Sequence, residues 1–138
     1  MHEGEVSEKL NLPGVPAAAE DCGTAREIAA AAADDVPVHI CHVSTATSAA
    51  LIRDAKARGV KVTAETAPHY LLLTDEALEK HDADYRMNPP LRSEKDRLAM
   101  IEAVKDGTID VIATDHAPHT PAEKADFLPY LPPNLPHQ

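Results

Sequence analysis

Apolar residues in this chain gather in three short runs, Val36 to Val43, Val60 to Thr66 and Thr108 to Ala113, each followed by a burst of polar groups. Their length and their β-branched residues predict strands. Helical signals separate them. Pro16 followed by the alanine-rich stretch Ala17 to Ala33 places proline in a first turn, and Asp34-Asp35 breaks that helix. Ser44-Thr45 is a cap for a helix from Ala46 to Arg58 that Gly59 stops. A small capped helix is expected near Thr74 to Lys80, ahead of Pro89-Pro90. Ser93 with Asp96 forms a capping pair for a helix to Asp106, which Gly107 closes. Met1 to Gly14 reads as a polar, irregular lead. At the other end, Leu128 to Gln138 carries four prolines in eleven residues, too many for a helix or a central strand.

Strands that alternate with helices pair in parallel, because a parallel neighbour is reached only by a crossover of a dozen or more residues. The expected class is therefore α/β. A three-stranded parallel sheet is a poor finished object, since parallel sheets normally have both faces covered and this one leaves two bare edges. With 138 residues the chain also falls well short of the roughly 250 typical of a closed eight-stranded α/β barrel. We expect one unit over residues 1–127, itself a piece of a larger architecture, and a proline-rich tail over 128–138.

Composition narrows the function classes. A formal charge of −10 argues against nucleic acid and anionic membrane as partners, both of which need basic surface. With 12 prolines and a single phenylalanine, the core must be built from Ala, Val, Ile and Leu. Cys22 and Cys41 lack a CxxC spacing and read as reduced packing residues. No signal peptide and no apolar run of about 20 residues is evident, so the cytoplasm is the expected location.

Each predicted strand delivers chemistry at its carboxyl end: His42 after the first, Glu65 to His69 after the second, Asp115 to His119 after the third. In a parallel sheet those ends lie on one side, where α/β enzymes place their sites. His39 and His42 are three positions apart, so on an extended chain they face opposite ways, and His42 is the better candidate. Imidazole and carboxylate suit zinc, and a catalytic zinc needs about three protein ligands. His42 and Asp115 supply two, and His69 completes the set by count, although spacing alone does not decide it. Asp115 can also serve as a proton acceptor; helix capping is its plainer role. Asn88 fits either an amide-reading contact or ordinary turn chemistry before proline. Arg86 and Arg92 are expected to be solvated or salt-bridged. No glycine-rich phosphate loop is present.

Four segments stand out together: His42-Val43-Ser44-Thr45, Thr63 to Thr74 with its Glu65-Thr66-Ala67-Pro68-His69-Tyr70, Asn88-Pro89-Pro90-Leu91-Arg92-Ser93, and Ala113 to His119. In this order, over about Met1 to Lys124, they resemble dihydroorotase of the amidohydrolase superfamily, which interconverts carbamoyl aspartate and dihydroorotate in pyrimidine biosynthesis. Allantoinases and hydantoinases are similar around the first and second segments, but the last two point to dihydroorotase. The resemblance implies a zinc-dependent (β/α)₈ TIM-type barrel, with two ions in the complete enzyme, of which this chain carries roughly strands six to eight. By the same resemblance His42 and Asp115 are metal ligands, Asp115 is the catalytic proton shuttle, Asn88 and His119 contact the small-molecule substrate, and His69 is no ligand. The family's remaining ligands, a His-x-His, a carboxylated lysine or acidic equivalent and a further histidine, are not found in these 138 residues. A fragment inactive alone is therefore expected, working with a complementing chain or another copy. The alternatives are a noncatalytic partial-barrel partner and a fragment of an allantoinase- or hydantoinase-type amidase.

Overall fold

The computed structural model describes residues 1–80 and 82–126. Helices α1 (Glu5–Lys9) and α2 (Ala17–Asp34) lead into strand β1 (Val38–Ile40). Helix α3 (Ala46–Ala57), strand β2 (Val62–Thr66) and the short helix α4 (Pro68–Leu72) follow. Two 3₁₀ turns, Asp75–Lys80 and Ala83–Tyr85, then precede α5 (Glu94–Lys105), β3 (Val111–Ile112) and α6 (Pro121–Asp126). The sheet order is β1-β2-β3 with both pairings parallel, Val38 opposite Val62 and Glu65 opposite Val111. The α/β class read from the alternation is what the structure has.

Chain punctuation acts where the sequence places it. Thr45 caps α3 by accepting from the Ser48 amide, and Ser93 caps α5 by accepting from the Asp96 amide. Asp35 ends α2 in the left-handed conformation with φ 53°, while Gly59 and Gly107 adopt φ 83° and 76°, which a side chain would resist.

Several expectations are corrected. The lead from Met1 to Gly14 contains helix α1, tied down because the Gly4 amide donates to Ser7 Oγ and Lys9 Nζ reaches Glu79 Oε2. All three strands are shorter than the apolar runs that announced them. Val36 and Ala113 lie outside the ladder, because strand length here is set by the neighbour available for pairing rather than by side-chain type. The turn over Pro68–Leu72 is helical, with Pro68 in the first turn where its missing N–H costs nothing. Cys22 and Cys41 are free thiols, as expected, but both are exposed and neither packs in the core. The proline-rich tail, 128–138, lies outside the described residues.

One face of the sheet makes the core. Along β2, Val62, Ala64 and Thr66 are buried while Thr63 is exposed and Glu65 half-buried, a strict alternation. The inward set packs with Ile52, Ala55, Leu91, Met100 and Ala103 from α3, α5 and the segment between. His39, Thr63 and Glu65 lie on the opposite, open face. Among the described residues no helix is long and apolar enough to cross a membrane.

Candidate functional site

Beyond β1 the chain makes a sharp change of direction. His42 has φ 42°, in the left-handed region, so the extended geometry that would set His39 and His42 on opposite faces ends before His42. Both imidazoles border the same hollow, together with Cys41, Asn88 and Pro89.

The turn that follows is held by a buried polar network. Glu20 of α2 accepts from the amides of Ser44 (2.8 Å) and Thr45 (3.2 Å) and from the Ser44 hydroxyl, and Asp21 accepts from Ser48 Oγ. Arg92, only 4% exposed, closes the network. Its Nε donates to Ser44 Oγ, its Nη1 to the Val15 carbonyl, and its Nη2 pairs with Glu20 at 3.2 Å. Of the two alternatives expected for Arg92, the salt bridge holds and solvation does not. Nothing in the local sequence marked Glu20 as its partner, 72 positions away.

The loop after β2 is fixed to the first rim and to the Asn88 loop. Thr66 Oγ1 donates to the Val43 carbonyl, and Tyr70 donates to the Pro89 carbonyl, both at 2.7 Å. Asn88 joins Pro89 through a cis peptide, next to the carbonyl that Tyr70 holds. Burial and the nearby Glu20 carboxylate push the Tyr70 phenol well above its ordinary range, so it remains a donor.

At the third rim Asp115 has φ 48° and is exposed. It borders a hollow of about 570 Å³ with His69, Asn88, His116 and His119. Asn88 and His119 also line a smaller neighbouring hollow of about 250 Å³ with Arg86 and Lys124. Three of the four residues named as candidates, Asn88, Asp115 and His119, thus border one space, of a size suited to a small molecule. His42 borders the adjoining hollow, which it shares with Asn88.

His69 sits beside Asp115 rather than His42. Burial holds its imidazole below the usual histidine range, and the Asp115 carboxylate pulls the other way. Because the folded form then binds fewer protons than the unfolded chain, this group costs stability as pH falls through about 6.5 toward its folded pKa. In metal-free chain, Asp115→Ala is expected to lower the His69 pKa further. A ring-proton NMR titration checks this, and an unchanged or raised value would deny the coupling.

The donor chemistry at the rim suits a metal only in part. His42 and Asp115 follow strands at opposite edges of the sheet, with β2 between them, so their backbones stand about 10 Å apart by ordinary strand spacing. Two such donors fall short of the three a catalytic zinc requires. The set that does converge among the described residues is His39, Cys41 and Glu65, whose ligand atoms all lie within 4.8 Å of one another.

Parallel strands, chemistry at their carboxyl ends and a rim hollow define the class. The fold is that of amidohydrolase-superfamily structures. A D-hydantoinase (dihydropyrimidinase) from Thermus sp. superposes with a TM-score of 0.74 at 29% identity, over 82% of this chain and 25% of that one. A dihydropyrimidinase from Brevibacillus agri gives 0.71 at 35% identity, over 74% and 23%. In sequence the chain is homologous to a segment of the dihydroorotases. It is 60% identical over 124 residues to the dihydroorotase of Geobacter metallireducens and 52% identical over 132 residues to that of Staphylococcus epidermidis. These matches cover 90% and 96% of this chain but only 29% and 31% of the relatives, so it spans under a third of their length. No family model matches the chain.

Proposed function

We propose that this chain is the part of a dihydroorotase-type cyclic amidohydrolase that carries strands six to eight of the (β/α)₈ barrel, and that it supplies the substrate-facing rim of the pyrimidine-pathway reaction. The observation that carries the reading is the grouping of Asn88, Asp115 and His119 around one hollow in a chain 60% identical to a dihydroorotase over 124 residues. The higher identity to proteins of that name than to the hydantoinases, 60% against 40% for a D-hydantoinase structure, favours dihydroorotate chemistry over the hydantoinase alternative.

In the hydrolytic direction Asp115 takes a proton from the attacking water and returns it to the departing ring nitrogen; cyclisation of carbamoyl aspartate is the reverse. Asn88, whose amide both donates and accepts, and His119 orient the ring. His42 and Asp115, together with groups outside this chain, would hold zinc, which would supply the polarisation that such an amide needs. By itself the chain is inactive, since its two donors do not complete a site and misplacement of about 1 Å can cost on the order of 100-fold. A complementing chain or a second copy is the natural partner, and the margins at β1 and β3, which no further strand continues among the described residues, favour that reading. The setting is the cytoplasm.

The test is a chimera in which residues 1–124 replace the matching segment of the Geobacter metallireducens enzyme. Dihydroorotase turnover within roughly tenfold of the parent is expected under metal-replete conditions, given the identity of the segment. A well-folded chimera without turnover would overturn the assignment.

A further inference from the structure

The open face of the sheet carries a second set of donors that the proposed reaction does not use. His39 leaves the middle of β1, Glu65 lies on β2, and Cys41 follows β1 by one residue. His39 Nε2 and Glu65 Oε2 are 3.1 Å apart, close to the edge of a tetrahedral zinc shell, which is about 3.3–3.7 Å for bonds of about 2.0–2.3 Å. The remaining separations, no more than 4.8 Å, close by about 1 Å of side-chain rotation. All three side chains are at least partly open to solvent, so an ion can enter.

Beyond the ligands themselves, His39 has a fixed orientation. Its Nδ1 lies 2.8 Å from Thr63 Oγ1, opposite it in the ladder register. That hydroxyl can accept an Nδ1–H, leaving the Nε2 lone pair directed at Glu65. Metal-binding histidines are oriented in this way through their second nitrogen. Ion binding therefore requires the tautomer with the proton on Nδ1, so that any proton Nε2 shares with Glu65 in the metal-free chain moves off Nε2, and Cys41 joins as thiolate, releasing its proton.

We propose that His39, Cys41 and Glu65 form a binding site for a borderline-soft divalent cation, zinc or cobalt, distinct from the His42 and Asp115 pair of the proposed amidohydrolase centre. One nitrogen, one sulfur and one oxygen leave a fourth position for water. Thiolate with imidazole excludes magnesium and calcium as the preferred occupants.

The test is titration of the purified chain with cobalt(II), followed by absorption. A thiolate-to-cobalt charge-transfer band rising to one ion per chain is expected. Cys41→Ser abolishes the band with the circular dichroism unchanged, and Glu65→Gln weakens binding roughly tenfold or more. Cys22→Ser and Asp115→Ala leave it in place. No band in the wild-type chain, a band that survives Cys41→Ser, or one lost in Asp115→Ala overturns the proposal. None of these outcomes bears on whether the chimera turns over dihydroorotate, so the two readings fail separately.

Discussion

Arg92→Ala is expected to destabilise the chain by about 3–5 kcal/mol, read as a lowered urea midpoint with little change in slope. The guanidinium is 4% exposed and faces Glu20, whose side chain is itself only 15% exposed. Truncation leaves that carboxylate buried without its counter-charge and leaves the Val15 carbonyl without its donor. Removing both charges, as Glu20→Leu with Arg92→Met, is expected to recover only part of the loss. Glu20 also accepts from the Ser44 and Thr45 amides, and those donors would remain unsatisfied. A loss below about 1 kcal/mol for Arg92→Ala would mean that the pair behaves as an exposed one. Since the same network fixes the turn after His42 and the segment after Asn88, activity in the chimera should fall with it.

Asp115→Ala in the chimera is expected to reduce kcat by roughly 10²–10⁴, the range that a positioned proton-transfer group supplies. The carboxylate lies at the mouth of the hollow it shares with Asn88 and His119, and its left-handed backbone conformation sets its place there. Substitution of an exposed side chain should leave the fold intact, so the loss is expected in turnover and not in the unfolding midpoint. An Asp115→Ala chimera within tenfold of the parent would remove this residue from the chemistry. Asn88→Ala, by contrast, should act more on KM, because its amide is placed to hold the ring rather than to exchange protons.

How far the sequence foretold this arrangement varies with the range of the interactions concerned. The helix boundaries at Thr45, Gly59, Ser93 and Gly107 were readable, because a cap or a left-handed residue is decided within a few positions. Parallel strands ending on one side announce a common rim for the groups after each strand, Asp115 and His119 among them, whereas Asn88 joins them only through the resemblance. What escaped was set by distant partners. Arg92 is buried because Glu20, Ser44 and Val15 surround it, and no local pattern announces three elements meeting. Cys41 is exposed because it lies with His39 and Glu65 on the open face of the sheet. The facing of His39 and His42 was misjudged for a related reason. Period-two alternation holds only while the backbone remains extended, and a φ of 42° at His42 ends it.

The sheet ends on β1 at one margin and β3 at the other, and among the described residues no further strand continues either ladder. In the isolated polypeptide, pairing of another backbone with those margins would be opposed by repulsion between chains that each bear a charge of −10. Raising the ionic strength shortens the reach of that repulsion without touching the backbone groups. Salt is therefore expected to shift the balance of the isolated polypeptide from single chains toward lateral accretion.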